Sequence, residues 1–152
     1  MNIEFKIIDK TNYMECIGLS VKPSQKKFVA SNTFSLVQAA YEPDLYPLGI
    51  YCDNQMVGFI LYDLDEEIGG WSMSRFMIDE KYQNQGIGKV ALQKFIEFFI
   101  NKYGHERLYT SAEVDNPVAI ALYKKAGFEK GEVFEYEVGG IWYKEVRMVI
   151  QL

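Results

Sequence analysis

Apolar and polar residues alternate from Ile3 to Ile8, the period of a strand with one face buried. Asn12 to Leu19 changes to helical spacing, with Thr11 as candidate cap, and Pro23-Ser24 breaks the pattern. Helical spacing resumes from about Gln25 to Tyr41 and stops at Glu42-Pro43; one helix and two helices fit equally well. Leu48–Cys52 and Met56–Leu64 are strand-like and flank Asp53-Asn54-Gln55, a polar connection suited to a hairpin. An acidic, glycine-containing loop, Asp63 to Gly70, leads to a third strand, Trp71–Asp79. The clearest helix runs from Gly86 to about Lys102, with Ile87, Val90, Ala91, Phe95 and Phe98 at steps of three and four. Arg107–Ser111 is a short strand. Asn116-Pro117 starts another helix as cap and first residue, and Gly127 ends it. Phe128–Val138 and Ile141–Ile150 close the chain as a hairpin around Gly139-Gly140. The order β-α-α-β-β-β-α-β-α-β-β predicts an α/β chain folded around one sheet.

Composition narrows the function classes. A chain of 152 residues, 49% hydrophobic, supports one domain, residues 1–152, with a sizeable core. No run of about 18 apolar residues is present, so no membrane span is expected. The segment after Met1 has neither the basic nor the apolar region of a secretion signal, and a cytoplasmic location is expected. Two cysteines and one histidine make neither a disulfide framework nor a ready zinc site. A net charge of −5 argues against nucleic acid as partner and mildly favours cationic ones.

Between the third strand and the long helix stands Tyr82-Gln83-Asn84-Gln85-Gly86-Ile87-Gly88-Lys89. Two glycines let backbone approach a ligand closely, and the first N–H groups of a helix have no internal acceptors. Together with the positive end of the helix dipole, these suit a phosphate or pyrophosphate. A tight turn is an equally good reading of the same glycines. Val90 after Lys89 breaks the Walker pattern, and Ala91 stands where a dinucleotide fingerprint has its third glycine. Farther on, Asn116 and Tyr123 lie two helical turns apart and share a face. The Tyr123 hydroxyl is either a proton donor or the bonded tip of a core residue.

Taken together, Gln83-x-x-Gly86-x-Gly88 before a helix and Asn116…Leu122-Tyr123-x-x-x-Gly127-Phe128 resemble the GNAT superfamily of acetyl-CoA-dependent N-acetyltransferases. The likeness covers the whole chain. Within that superfamily, Pro47-Leu48-Gly49-Ile50-Tyr51, Val57-Gly58-Phe59 and Arg75-Phe76-Met77-Ile78-Asp79 look most like bacterial spermine/spermidine (diamine) acetyltransferases. The resemblance implies a mixed, mostly antiparallel sheet splayed at its middle, with acetyl-CoA as co-substrate, no metal, and direct transfer to an amine. It further implies that Phe76, Met77 and Ile78 offer backbone to the pantetheine arm and that Gln83, Asn84, Gln85, Gly86, Ile87, Gly88 and Lys89 cradle the pyrophosphate. Asn116 would bond the cofactor, and Tyr123 would protonate the departing thiolate. Lys124 and Lys125 are within reach of the adenosine phosphates, although a solvated helix face describes them better. Ser74 departs from the pattern, because relatives often carry a carboxylate there. The general base is left without an assignment.

For the acceptor, Glu42 and Asp44, then Asp63, Asp65, Glu66 and Glu67, form two acidic segments that would attract a polycation or simply meet solvent. Tyr41, Tyr46, Tyr51 and Tyr62 are candidates for an aromatic cleft, at least two of them better read as sheet packing. His105 reads as a loop residue, Cys16 and Cys52 as small buried groups, and Trp71 and Trp142 as core or interface. The expectation is an acetyltransferase acting on a small primary amine, a polyamine such as spermidine or spermine, and a homodimer is allowed. The rivals are a superfamily member acting on a peptide, amino acid or antibiotic amine, a non-catalytic acyl-CoA-binding module, and a nucleotide-binding domain using the Gln83–Lys89 loop.

Overall fold

A computed structural model describes all 152 residues. Seven strands, β1 (Ile3–Ile7), β2 (Leu45–Cys52), β3 (Gln55–Asp65), β4 (Gly70–Ile78), β5 (Arg107–Glu113), β6 (Glu129–Val138) and β7 (Ile141–Gln151), form one sheet in the order β1-β2-β3-β4-β5-β7-β6. Four helices accompany them: α1 (Tyr13–Gly18), α2 (Asn32–Tyr41), α3 (Ile87–Tyr103) and α4 (Pro117–Ala126). Every strand pairing is antiparallel except β4 with β5, the pair joined through α3. This is the one-sheet α/β order that the residue pattern predicts, with the mixed, mostly antiparallel pairing that the resemblance implies.

The two faces carry separate cores. On one, α3 lays Ile87, Ala91, Leu92, Phe95 and Phe99 against Ile50, Ile60, Tyr62, Met73 and Leu108. Phe95 has no exposed surface, so its truncation to alanine costs about 3–5 kcal/mol. On the other face, Cys16 of α1 joins Met56, Phe59, Leu61 and Met77, with Leu36 and Ala39 of α2 packed alongside. The two-residue turns obey backbone chemistry: Asp53 and Asn54 have φ of 49° and 69°, and Gly139 and Gly140 of 58° and 83°, as turns matched to strand twist require.

Several expectations change. Thr11 does not cap α1: Asn12 occupies the cap position, and its side-chain oxygen accepts from Asp9 N at 2.8 Å outside the helix. The stretch from Gln25 to Tyr41 is not continuous helix. A single 3-10 turn, Pro23–Gln25, precedes irregular chain until Ser31 caps α2 by accepting from Phe34 N at 3.1 Å. Cys52 is half-buried rather than buried. Trp71 packs on Tyr103 with ring centres 4.2 Å apart, whereas Trp142 is 69% exposed near the hairpin tip. His105 is exposed in its loop. No helix is long and apolar enough to cross a membrane.

Candidate active site

The sheet opens at its one parallel seam. β4 and β5 are paired only from Trp71 to Met73 against Leu108 to Thr110. Beyond that point Ser74–Ile78 stays with β3 while Ser111–Glu113 stays with β7, and the strands diverge. Two local features mark the divergence. Thr110 Oγ1 donates to Met73 O at 2.9 Å, closing the last carbonyl of the seam with a side chain. Directly after it, the β3–β4 register slips so that Leu61 pairs with Arg75 and Tyr62 with Met73, leaving Ser74 as the extra residue of a bulge. The bulge reverses the alternation, so Met73, Phe76 and Ile78 all contact the α3 core, while Met77 joins the α1–α2 core. Gly58 on β3 is required here, because a Cβ at that position would lie 2.4 Å from Met77 O.

A cleft of about 1350 Å³ occupies the opening, bordered by β4, β5, the N-terminal part of α4, the 22–34 connection and the β6–β7 hairpin. Tyr123 comes to it from α4, 6% exposed, with its ring 5.7 Å from that of Phe128. Burial pushes its hydroxyl up to about 12; the Thr110 hydroxyl opposes that shift and the charge of Glu145 adds to it. The phenol therefore carries its proton near neutral pH and has it to donate. Asn116 also borders the cleft, where its side-chain oxygen accepts from Ala119 N at 3.3 Å as the cap of α4, leaving its amide N–H groups free. Lys124 and Lys125 are exposed on the helix face.

At the mouth of α3, Asp79 prepares the turn: it is 2% exposed and accepts from Ser20 N at 2.8 Å and Lys81 N at 3.1 Å. The loop that follows folds with Asn84 at φ 62° and Gly86 at φ 80°. The first helical bond is Val90 N to Gly86 O at 3.3 Å, and no backbone N–H from Gln83 to Lys89 has a partner within the protein. Such a run of unpaired donors at the N-terminus of a 17-residue helix suits an anion. The two glycines are there for different reasons. Gly86 supplies the left-handed turn, but Gly88 is helical, with open space where a Cβ would sit beyond a 3.7 Å contact to Ile78. The fold does not need a glycine at position 88; a ligand lying close to the backbone would. Gln83 spends its side chain on structure, donating to Ile78 O at 3.0 Å and exchanging amide bonds of 2.9 and 3.1 Å with Gln25. Ile87 is buried in the core, and Gln85 and Lys89 are exposed.

The two acidic segments meet: Glu42, Asp44, Asp63, Asp65, Glu66 and Glu67 all border the cleft. Asp63 stands out among them. Its Oδ1 accepts from Ser74 Oγ at 2.9 Å, so the strand next door brings a carboxylate to the position where the chain carries serine. Burial raises Asp63 to about 6, against the lowering effect of the Ser74 hydrogen bond. Arg75 lies beside it and donates to Gln38 of α2 at 3.2 Å.

Of the two readings of the tyrosines, packing holds for Tyr46, Tyr51 and Tyr62 and the aromatic cleft holds for none. Tyr41 is 86% exposed, Tyr46 stacks on Tyr62 at 5.1 Å, and Tyr51 is buried with its hydroxyl bonded by Asn12. None borders the cleft. Besides Tyr123, its aromatic lining is Phe28, Phe34, Phe76, Tyr82, Phe134, Tyr136 and Tyr143. Sequence reading also misses Glu145, a 9% exposed carboxylate of β7 bonded by Ser111 and Tyr136. A signal existed: in Tyr143-Lys144-Glu145-Val146-Arg147-Met148, alternation puts Tyr143, Glu145 and Arg147 on the face opposite Val146 and Met148. No group of three or more His, Cys, Asp or Glu side chains is arranged to hold a metal ion.

Known proteins share this architecture. A spermine/spermidine N(1)-acetyltransferase of Bacillus subtilis strain 168 is 30% identical, covering 96% of this chain and 100% of its own. An L-amino acid N-acetyltransferase of Escherichia coli K12 is 28% identical over 59% of this chain. Among solved structures, a spermidine N-acetyltransferase from Vibrio cholerae in complex with CoA and spermine superposes with a TM-score of 0.75 at 14% identity, covering 98% of this chain and 95% of its own. A ribosomal L7/L12 alpha-N-protein acetyltransferase in complex with coenzyme A gives 0.75 at 15%, covering 99% and 94%. A sequence profile of the acetyltransferase (GNAT) family matches residues 20–128, which include the splayed strand, the donor loop and Tyr123. The chain belongs to that family and is an acetyl-CoA-dependent N-acetyltransferase.

Proposed function

We propose that the acceptor is a polyamine such as spermidine or spermine, and that the cleft binds it with acetyl-CoA before any transfer occurs. The observation that carries the acceptor assignment is the cleft's charge: six carboxylates from Glu42 to Glu67 line one end, with Glu135 and Glu145 on the hairpin side, against Lys22, Arg75 and Arg147. A chain of two or more ammonium groups gains from such a field along its whole length, whereas a neutral or acidic acceptor does not. The full-length likeness to the Bacillus subtilis enzyme supports the same reading.

On this reading the unpaired N–H groups from Gln83 to Lys89 take the pyrophosphate of acetyl-CoA. Phe76, Met77 and Ile78, released from β5 by the splay, offer main-chain groups to the pantetheine arm. Asn116 has amide N–H groups left over from its capping bond to donate to the cofactor. Tyr123 donates its proton to the departing sulfur, a role its buried, fully protonated phenol suits. Glu42 and Asp63 meet the acceptor's charges. Both substrates occupy one cleft and the free thiols, Cys16 and Cys52, lie outside it, which supports direct transfer without an acetyl-enzyme.

The test is an initial-rate thiol-release assay with acetyl-CoA against spermine, spermidine, putrescine, lysine and a short peptide. Polyamines are expected to give the highest kcat/KM, with a rate that falls as salt rises. A preference for lysine or the peptide by tenfold or more would overturn the polyamine assignment while leaving the transferase.

A further inference from the structure

Glu145 is a buried carboxylate for which the protein supplies no cation. Its Oε1 accepts from Ser111 Oγ at 2.6 Å and its Oε2 from the Tyr136 hydroxyl at 2.5 Å. The ion pairs in the molecule are Lys94 with Glu97 and Arg147 with Glu132, and neither involves it. Arg147, two residues along on the same face, is turned away, its guanidinium 4.5 Å over the Phe134 ring. A buried anion held by two neutral hydroxyls is costly, and the missing partner is a positive charge. Glu145 opens onto the cleft that holds Tyr123, at the end of a ledge in which Phe134 stacks on Tyr136 at 5.8 Å and Tyr136 on Tyr143 at 5.2 Å. A carboxylate beside stacked rings fits an alkylammonium group, with the charge on the acid and the methylenes on the ledge. Tyr123 borders the same cleft, and the charge of Glu145 acts on it.

We propose that Glu145 receives the reacting ammonium of the acceptor and takes its proton, with Ser111 and Tyr136 as positioning residues for the carboxylate. The proposal rests on the N-acetyltransferase reading and refines it. The ammonium gives one proton to Glu145, and the neutral nitrogen attacks the thioester carbonyl carbon, so that a C–N bond forms and the C–S bond breaks. The sulfur takes the Tyr123 proton. The nitrogen sheds its second proton to Tyr123, and Glu145 returns the first to water. The other charged and titratable groups on this side are Glu113 on β5 with Asp115 after it, Lys27 in the 22–34 connection, Tyr123 on α4, Glu132, Glu135 and Tyr136 on β6, Tyr143 and Arg147 on β7, and Arg75 on β4.

The experiment measures kcat/KM from pH 6 to 10 for Glu145→Gln and Asp63→Asn, using whichever amine reacts best in the acceptor screen. Glu145→Gln is expected to lose about 10²–10³-fold at pH 7 and to recover as pH approaches an amine pKa of about 10, where the acceptor deprotonates unaided. Binding of CoA stays unchanged. Asp63→Asn loses far less, and its activity relative to the parent does not recover as pH approaches 10. The reverse order of losses, or a Glu145→Gln enzyme within about twofold of the parent at every pH, overturns the proposal. Should Glu145→Gln fail to fold, Tyr136→Phe keeps the carboxylate but frees one oxygen; it is expected to lose about tenfold and shift the profile, and an unchanged profile overturns the assignment. If spermine and spermidine are inert but another amine reacts, the polyamine reading falls and Glu145 is judged on that amine. If no amine reacts, both fall.

Discussion

Seven consecutive residues, Gln83 to Lys89, form the mouth of α3 that we assign to the cofactor's pyrophosphate, whereas the face we assign to the acceptor draws Asp63, Ser74, Ser111, Tyr136 and Glu145 from five strands. The first works through main-chain N–H groups, which every residue has, so its sequence signature is what must be missing: a side chain at Gly88. The second works through side chains whose meeting depends on register. On each arm of the splay, a serine of an inner strand takes a carboxylate from the strand outside it, Ser74 from Asp63 and Ser111 from Glu145. The two pairs differ in surroundings: Asp63 is half-buried beside Arg75, and Glu145 is buried without a cation. A contiguous loop and a scattered cluster can therefore share one cleft and still require different kinds of inference.

The comparison can be broken in four places. The largest effect is expected from Tyr123→Phe, which keeps the ring against Phe128 and removes the hydroxyl: turnover should fall about 10²-fold or more with CoA affinity within twofold. Unchanged turnover would remove Tyr123 from its role. Next is Gly88→Val. Because the fold leaves room there, the melting temperature should hold or rise slightly, while CoA binding weakens about tenfold, near 1.4 kcal/mol. Tight CoA binding by that variant, measured by calorimetry, would mean the glycine serves only the turn.

Asn116 comes third. Its replacement by alanine removes the cap on Ala119 N and should cost about 1 kcal/mol in denaturant unfolding. Asn116→Asp restores the cap without the amide donors, so stability should return while CoA affinity stays low; full recovery of both would limit Asn116 to capping. The smallest effect is on pH-dependent stability at Asp63. Its pKa is raised to about 6, so the native state binds protons more readily than the unfolded chain. Its contribution to stability is complete below about pH 4 and is lost as pH rises through 6. Asp63→Asn should therefore melt on the order of 2–4 °C higher than the parent at pH 8, with the difference gone at pH 4. A constant difference across that range would contradict the assigned burial.

Local pattern carried much of the fold. The α3 stripe, the capped start of α4 at Asn116-Pro117, its end at Gly127 and both two-residue hairpins are each decided within a few residues of chain. Where the reading slipped, a more distant group intervened. Asn12 turns its oxygen back to Asp9 and leaves Thr11 no cap to make, and the chain between Gln25 and Ser31 answers to Gln83 across the cleft rather than to its own spacing. Tyr46 and Tyr62 are drawn into an aromatic core with Trp71 and Tyr103, which their spacing alone does not distinguish from a binding wall.

From sequence alone came the order of elements and the candidacy of the Gln83–Lys89 loop and of Tyr123, because helix caps, glycine turns and unpaired helix-start donors are short-range chemistry. The tertiary structure alone decided which carboxylates face the reaction. One bulge at Ser74 reverses the alternation of β4, a pairing that ends at Met73 opens the sheet, and the register of β5 on β7 brings Glu145 to Ser111. Side-chain direction in a strand has a period of two, so a slip of a single residue moves a carboxylate from one face to the other.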